Sequence, residues 1–368
     1  MTKVGILSMQ RICNYGSFLQ AYGLKKIFEE LGCKVEFADY YPGECLVKNE
    51  AGTGLSRKIS KVNDVMGIKA PLIEKLRFID YKRNYAKNYL KYLGIDDSLH
   101  YAPDVDLMVI GSDEVFNCVQ DNPNVGFTPE LFGVGQTATK IISYAASFGN
   151  TTLEKLEKYE VSDKVAEWLN AFDAISVRDN NSGFIVETLT EKKPEFNLDP
   201  VLMYDYVKKC RRIPSRVPEK EYLLLYGYTG RFSEEECVAI RRYANSQKLK
   251  ILCIGGVQHC CDKFIDCDPF KVIAYFQHAD CVITDTFHGT IMSVITHCNF
   301  VSVVRASGYG NSEKLTDLLG RLSLSDRILS NLSQIGSMLE KPIDYEKTDS
   351  FIVDERKHTY CYLKRFVK

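Results

Sequence analysis

The sequence predicts an α/β protein of two Rossmann-like, doubly wound domains that face a central cleft. Three observations support this fold class. Short apolar segments alternate with helical patterns along most of the chain. The alternation occurs in two series, separated by a polar and basic stretch. The chain has 368 residues, 45% of them hydrophobic, which is more than one core usually organises. Since strands separated by helices form parallel sheets, each series predicts one domain.

The first domain is predicted to span residues 1–200. It opens with a βαβ pattern made of the strand KVGILSM, the loop QRICNYGS, the helix FLQAYGLKKIFEELG and the strand KVEFADY. From about residue 47 to 100 the chain is charged and tyrosine-rich with helical spacing, which predicts a helical insertion near 47–100. The alternation then resumes with the strands DLMVIGS, KIISYAAS and AISVRD.

The second domain is predicted to span residues 201–345. Asp199–Pro200 and the basic stretch KKCRRIPSRVPEK form the predicted link. The strands EYLLLYGY, KLKILCIGG, DCVITD and FVSVV then alternate with helices. The tail, 346–368, mixes apolar and basic residues with partial helical spacing. We expect this helical tail to pack back across the cleft onto the first domain.

Charge and composition exclude several classes of partner. Lys and Arg number 47 against 48 Asp and Glu, so no overall field favours nucleic acid or an anionic membrane. The segment MTKVGILSMQ resembles no signal peptide, and no apolar run approaches about 18 residues. We therefore expect a cytoplasmic protein with small-molecule substrates and at most peripheral membrane association. The 13 cysteines are predicted to be buried, reduced thiols.

The loops that follow the strands are the candidates for the site, because ligands of parallel sheets lie beyond the carboxyl ends of the strands. Five of these loops carry unusual residues: NYGS at 14–17, GSDEVFN at 111–117, SYAASFG at 143–149, SVRD at 176–179 and TDTFHG at 284–289. Asn14, Gly16 and Ser17 precede a helix, whose free N–H groups can hold an anion; the alternative is an ordinary helix cap.

Charged residues in these loops also have two interpretations each. The guanidinium of Arg178 can hold a phosphate or carboxylate through two parallel hydrogen bonds, or it can pair with Asp179. Asp113 and Asp285 can accept a proton or a sugar hydroxyl hydrogen bond, or they can cap the following helix. His288 lies at the start of a helix and is suited to proton exchange near neutral pH, or it is structural.

A metal site must also be weighed in the segment CIGGVQHCCDKFIDC. It contains Cys253, His259, Cys260, Cys261 and Cys267. The segment lacks paired C-x-x-C units and an H-x-x-x-H pair, which structural zinc sites show. The sequence therefore predicts no metal site here.

The loops as an ordered set resemble a known family. NYGSFLQAYGL, GSDEVFN, ISYAASFG, ISVRD, NLDPVL, ITDTFHGTIMSVI and NSEKLTDLLGRLSLSDRIL follow the order and spacing of the polysaccharide pyruvyl transferase family, from about residue 3 to 330. The resemblance implies a fold similar to the two-domain glycosyltransferase-B type. It also implies transfer of pyruvate from phosphoenolpyruvate to a hydroxyl or diol of a lipid-linked or nucleotide-linked sugar, with release of phosphate and no metal or organic cofactor.

The resemblance implies roles for individual residues as well. His288 is the acid or base at the reacting carbon, with Asp285 and Asp113 as further catalytic candidates. The expected substrate-binding residues are Asn14, Tyr15, Gly16, Ser17, Ser112, Ser147, Arg178, Thr286, Phe287, Gly289, Arg305, Asn311, Ser312 and Lys314.

One position departs from the family pattern. Pyruvyl transferases similar to this chain carry an arginine two residues before the histidine, in an R-L-H arrangement that contacts the donor. Here that position is Thr286. Either Arg178, Arg305 and Lys314 hold the donor instead, or the chain uses another donor. The alternatives are therefore a glycosyltransferase-like enzyme with a nucleotide-sugar donor and a non-catalytic glycan-binding protein.

Overall fold

The computed structural model describes residues 1–47, 54–305 and 312–368. Within them, the first domain contains a sheet of six parallel strands in the order β2-β1-β3-β4-β5-β6. These strands are Lys3–Leu7 (β1), Lys34–Phe37 (β2), Leu107–Asp113 (β3), Lys140–Ala146 (β4), Ser176–Val177 (β5) and Glu195–Phe196 (β6). The central strands are buried on both faces, as expected for a parallel sheet covered by helices.

The second domain contains another parallel sheet of six described strands, in the order β12-β11-β10-β7-β8-β9. These strands are Tyr222–Tyr226 (β7), Lys250–Ile254 (β8), Lys263–Phe264 (β9), Cys281–Thr284 (β10), Phe300–Val303 (β11) and Ile328–Leu329 (β12). The predicted fold class is confirmed, because two doubly wound sheets of the Rossmann type make up the molecule.

Helices connect and cover the strands. They are Tyr15–Glu30 (α1), Gly54–Gly67 (α2), Leu72–Tyr89 (α3), Leu153–Lys158 (α4), Ser162–Asn170 (α5), Asn180–Thr190 (α6), Pro200–Met203 (α7), Tyr206–Lys209 (α8), Glu234–Ser246 (α9), Pro269–Gln277 (α10), Phe287–Ile295 (α11), Ser312–Arg321 (α12), Ile335–Glu340 (α13) and Glu346–Lys364 (α14). Many begin at a side-chain cap, such as Asn14 for α1, Asp179 for α6 and Thr286 for α11.

Each sheet has one place where the strand order reverses. In the first domain it lies between β1 and β3, and in the second between β7 and β10. Loops that leave neighbouring strands at such a point diverge and create a crevice. The two crevices face each other, since residues from the loops after all four strands line one cleft.

Helix α3 of the insertion contacts both domains, since the hydroxyl of Tyr85 donates to the carbonyl of Asn14 in the first domain at 2.8 Å. The ring of Tyr81 lies 5.5 Å from that of Phe264 in the second domain, and Phe264 N donates a hydrogen bond to Glu74 at 2.9 Å. Helix α1 also packs against α10, with the rings of Tyr22 and Phe270 4.8 Å apart. One apolar core therefore extends across the domain boundary.

The C-terminal helix α14 contacts both domains. Near its start, the hydroxyl of Thr348 donates to the carbonyl of Leu322 in the second domain at 2.9 Å. Near its end, the hydroxyl of Tyr362 donates to the carbonyl of Ser143 in the first domain at 2.8 Å. The helix thus connects the two domains at a second place. In the described ranges, no helix has both the length and the apolar character needed to cross a bilayer.

Candidate active site

A cleft of about 730 Å³ lies between the domains. The loops after β1, β3, β4, β5, β7 and β10 contribute to its walls. Eight residues predicted for the site line it: Asn14, Gly16, Ser17, Asp113, Arg178, Thr286, Phe287 and His288. These residues are far apart in the sequence. They lie close together because the loops that carry them meet where the strand order of each sheet reverses.

His288 lies where the two domains meet. It occupies the first turn of α11, which is capped by Thr286, whose hydroxyl accepts a hydrogen bond from Gly289 N at 3.0 Å. The ring packs on Gly16 so closely that a Cβ at that position would lie 2.3 Å from Nδ1. On its other side, Nε2 is 3.5 Å from Oδ2 of Asp199. A residue of the second domain is therefore held by two residues of the first.

Asp199 is a buried carboxylate beside the histidine. Its Oδ1 caps the short helix α7 by accepting from Val201 N at 3.0 Å, and its Oδ2 accepts from Arg178 Nη1 at 2.7 Å. Burial opposes the ionisation of Asp199, but His288 and Arg178 outweigh it and lower the pKa below its usual value. Asp199 therefore remains charged and can stabilise a proton on His288.

Arg178 holds two carboxylates together. Besides Asp199, its Nη2 donates to Oδ1 of Asp113 at 3.2 Å, and its guanidinium lies 4.6 Å from the centre of the Phe287 ring. Burial opposes its charge, but Asp113 and Asp199 raise the pKa above the usual value. Its Nε has no hydrogen-bond partner among the described residues. The guanidinium of Arg178, predicted to hold a substrate anion, thus donates to two carboxylates of the protein instead.

The predicted alternative for Arg178, a salt bridge with Asp179, is not the pairing in the structure. Asp179 instead caps α6 by accepting from Ser182 N at 2.8 Å. It also accepts from the hydroxyl of Ser147 at 2.6 Å. Ser147 is fully buried by this contact and does not line the cleft, so its side chain supports the loop and lies away from any ligand there.

A second group of charges connects the domains across the cleft. Lys314 of the second domain pairs with Glu114 of the first, with Nζ 2.5 Å from Oε1. Asn117 donates to the other oxygen of Glu114 at 2.9 Å. Burial opposes the ionisation of Glu114, but Lys314, Arg178 and Asn117 lower its pKa to about 2. Lys314, expected to bind the donor, is therefore already paired.

Asp285 lies behind the cleft wall. It is fully buried between two arginines, with Oδ2 2.8 Å from Arg231 Nε and 3.3 Å from Arg305 Nε. Burial is the larger effect and raises the pKa of Asp285 despite both arginines. Arg305 also pairs with Glu236 and does not line the cleft, whereas Arg231 does. Asp285 and Arg305, predicted to act on the substrate, thus support Arg231.

The loop before α1 combines both predicted interpretations. The side chain of Asn14 is a helix cap, because it accepts from Ser17 N at 2.7 Å, yet the residue also lines the cleft. Ser17 donates its hydroxyl to Asp113 at 2.8 Å. Tyr15 does not line the main cleft, since its hydroxyl donates to the carbonyl of Cys267 at 2.8 Å and its ring is buried at the domain interface.

Two more predicted site residues lie away from the cleft. Ser112 is fully buried and donates its hydroxyl to Gln20 at 2.9 Å. Gly289 is needed for packing, since a Cβ there would lie 2.1 Å from the hydroxyl of Thr284. Asn311 lies outside the described residues. Position 312 begins helix α12, and its side chain is also outside the described part.

Sequence reasoning missed three charged residues of the site. Asp199 was interpreted only as part of the domain link, although NLDPVL was among the family-like motifs. Glu114 follows Asp113 directly in the loop GSDEVFN. Arg231 lies in the loop after β7, which had not been counted among the candidates. That loop follows the strand EYLLLYGY at a reversal of strand order, and this position could have indicated it.

These contacts define a polar cleft with a histidine, a buried carboxylate and guanidinium groups at its wall. Two Rossmann-like domains around such a cleft are typical of enzymes of the two-domain glycosyltransferase-B type. The chain belongs to the polysaccharide pyruvyl transferase family, whose sequence profile matches residues 14–307, and it is a transferase. The resemblance inferred from the loops is thereby confirmed.

No curated protein matches the sequence. Among solved structures, a putative UDP-N-acetylglucosamine 2-epimerase from Listeria monocytogenes is 12% identical with a TM-score of 0.48, covering 95% of this chain and 90% of that one. The "glycotransferase of kitacinnamycin" is 10% identical with a TM-score of 0.47, covering 100% and 99%. S. aureus MnaA with UDP is 11% identical with a TM-score of 0.47, covering 99% and 97%. At these scores the likenesses carry no argument about chemistry.

Proposed function

We propose that this transferase moves pyruvate from phosphoenolpyruvate to a hydroxyl or diol of a sugar in a surface-polysaccharide precursor and releases phosphate. The observation that carries the proposal is the position of His288, whose ring lies at the cleft between Gly16 and Asp199. A histidine that faces a buried carboxylate can give and accept protons near neutral pH.

The proposed reaction uses one proton on the donor and removes one from each reacting hydroxyl. Protonation of the methylene carbon makes the neighbouring carbon electrophilic, and a sugar oxygen bonds to it. The carbon–oxygen bond to phosphate then breaks, and phosphate leaves with the bonding electrons. With a diol, the second oxygen takes its place and gives a cyclic ketal. With a single hydroxyl, loss of a methyl proton restores the double bond. His288 is the residue best placed to transfer these protons.

The donor carries a phosphate and a carboxylate, so cations must lie near it. Thr286 occupies the position of the family's arginine, and its hydroxyl is used as a helix cap. Arg231 comes from the neighbouring loop, lines the same cleft and is held by Asp285. We assign to Arg231 the electrostatic role that the missing arginine has in relatives.

The acceptor is proposed to bind toward the other end of the cleft. Asn122, Asn150, Lys155 and Lys158, which follow β3 and β4 in the chain, line the cleft, and their amide and ammonium groups suit sugar hydroxyls and the phosphates of a lipid-linked or nucleotide-linked sugar. The cleft volume of about 730 Å³ is in the range of sites for small substrates. Since phosphoenolpyruvate is a cytoplasmic metabolite, the proposal places the reaction in the cytoplasm. The reaction requires no metal or organic cofactor.

The test is phosphate release from phosphoenolpyruvate with a panel of sugar acceptors, read by mass spectrometry with isotopically labelled donor. We expect release that depends on the acceptor and a product heavier by the pyruvyl group. His288→Gln, which we expect to leave the fold intact, should abolish both signals. Stabilisation against heat by a nucleoside diphosphate, with none by phosphoenolpyruvate, would instead support a nucleotide-sugar donor. Glycan binding without turnover of any donor would indicate a non-catalytic protein.

A further inference from the structure

The turn between α2 and α3 carries exposed apolar side chains. Val62 and Met66 lie on α2, and Leu72, Ile73 and Leu76 lie on the first turns of α3. Each exposes between 42% and 56% of its surface. We call these five residues the tip patch. Single exposed apolar residues are ordinary on a protein surface, but a contiguous group marks an interaction site.

Helix α3 shows that the patch is confined to the tip. One face of the helix is buried along its whole length through Phe78, Tyr81, Tyr85 and Tyr89. The opposite face continues beyond the first turns with the exposed residues Asp80, Arg83 and Lys87. The outward side of the described part of the insertion is therefore polar except at its tip, so packing among the described residues does not explain the patch.

The tip is also basic. Between residues 54 and 77 the sequence has six Lys or Arg against two Asp or Glu, although the whole chain has 47 against 48. Lys61 and Lys69 are exposed beside the patch, and the ammonium of Lys69 lies 2.5 Å from Oε2 of Glu234. Lys75 lies between the two helices, where its ammonium donates to the carbonyls of Met66 and Ile68, each at 2.9 Å.

The tip adjoins the mouth of the cleft. A Cβ at Gly230 would lie 3.0 Å from the side chain of Ile68, and the loop that contains Gly230 also supplies Tyr228 and Arg231 to the cleft. On the other side, the hydroxyl of Tyr85 donates to the carbonyl of Asn14, another cleft residue, at 2.8 Å. The insertion thus touches cleft loops of both domains.

We propose that the tip patch docks on the surface of an anionic lipid bilayer. The apolar side chains enter the interfacial region, while the net positive charge of the tip attracts the anionic headgroups. This arrangement places the cleft beside the membrane surface. It rests on the exposed side chains and charges alone and does not depend on which reaction the cleft performs.

A second copy of the chain fits the patch less well. A two-fold interface would bring the same basic residues of both copies together, and like charges repel. Five partly exposed side chains also fall short of the about 800 Å² per partner that a stable protein interface buries. An anionic surface, in contrast, is complementary to both the charge and the small apolar area.

The test is flotation of the full chain with vesicles of phosphatidylcholine alone or mixed with phosphatidylglycerol. We expect recovery with the anionic vesicles only, and its loss at about 1 M salt, where charges are screened. The variant Leu72→Gln/Ile73→Gln/Leu76→Gln should lower the partition coefficient at least tenfold without a change in melting temperature. The control Phe184→Gln/Val238→Gln/Val353→Gln removes three exposed apolar side chains elsewhere and should float like the wild type.

Three results would overturn the proposal. The first is a wild type that remains with the unbound fraction for both kinds of vesicle. The second is a tip variant that floats as well as the wild type. A lipid-free dimer that the tip substitutions dissociate, seen by light scattering, would assign the patch to a second copy of the chain.

Discussion

Two groups of buried charges lie at the wall of the cleft, and they differ in balance. In the group around Arg178, one guanidinium holds two carboxylates, Asp113 and Asp199. The carboxylates outnumber the guanidinium by one, and His288 lies 3.5 Å from Asp199. A proton that arrives on this histidine therefore meets a negative charge that no other group within the Arg178 group compensates.

The group around Asp285 is already balanced. Two arginines, Arg231 and Arg305, face Asp285, and Arg305 also pairs with Glu236. The pKa of Asp285 is raised by burial, whereas that of Asp199 is lowered by its neighbours. A buried aspartate after a strand is therefore no evidence of catalysis by itself. The group that retains an uncompensated charge next to a histidine is suited to proton transfer, and the balanced group is suited to fixing Arg231.

The largest expected effect is on turnover when His288 is replaced. His288→Ala should reduce turnover by about 10² to 10⁴, the usual scale for loss of a positioned proton-transfer group. His288→Gln should be nearly as inactive, because glutamine forms hydrogen bonds but does not titrate near neutral pH. Both should melt close to the wild-type temperature. If His288→Gln kept most of the wild-type activity, the role of the His288 ring would be to position the substrate by hydrogen bonding.

Replacing one arginine in each group tests whether the Arg178 group and the Asp285 group contribute differently to stability. Arg178→Lys keeps the charge but cannot hold both Asp113 and Asp199, so we expect a loss of about 3 kcal/mol in the free energy of unfolding. In Arg305→Lys, Asp285 keeps Arg231, and we expect about half that loss. Urea unfolding of both variants measures the difference. Equal losses would show that the two groups are equivalent in stability.

Gly16 offers a way to move the histidine without removing it. A Cβ at this position would overlap the His288 ring, so Gly16→Ala should displace the ring from Asp199 and lower turnover about tenfold or more. The matched control is Gly320→Ala in α12, where a Cβ would have only one neighbour, at 3.9 Å. Steady-state kinetics of both variants, with melting temperatures, separates displacement from unfolding. Full activity in Gly16→Ala would contradict the assigned position of the ring.

The sequence was sufficient for the two-domain fold and for the edge strand β2, but not for the other three edge strands. Apolar runs identified the buried central strands because a strand covered on both faces reads as a continuous apolar segment. The edge strands β6, β9 and β12 have two residues each, and so short a pattern has no recognisable period. The bridging position of the insertion was also unpredictable, since it depends on contacts between residues far apart in sequence.

The site shows the same limit. His288, Arg178 and Asp113 could be found because loops after parallel strands meet at one edge. Their partners could not, because pairing depends on the strand order. Asp179 is adjacent to Arg178 in sequence, but it caps a helix, and Arg178 instead reaches Asp199 across neighbouring strands. Which carboxylate pairs with an arginine thus depends on the partners that the fold brings near it, and these cannot be identified from sequence neighbours.

The smallest expected effect concerns the ion pair of Glu114 and Lys314, whose glutamate also feels the charge of Arg178. The folded-state pKa of Glu114 is about 2, below its ordinary value of 4.5. Ionised Glu114 therefore stabilises the fold above about pH 4.5, and this contribution is lost as the pH falls from 4.5 toward 2. Allowing for its partial exposure, we expect Glu114→Gln to unfold about 1–2 kcal/mol more easily at pH 7.

The control for this titration is Glu234→Gln, because Glu234 pairs with Lys69 on the exposed surface. Water screens that pair, so its loss should change the stability little at any pH. Urea unfolding at pH 7, 5, 4 and 3 should show the Glu114→Gln difference shrinking toward the lowest pH while the Glu234→Gln difference stays small. A difference for Glu114→Gln that is constant across this range would mean that its carboxylate charge contributes nothing. The stabilisation would then come from packing or neutral hydrogen bonds, and Glu114 would not count among the charges that balance Arg178.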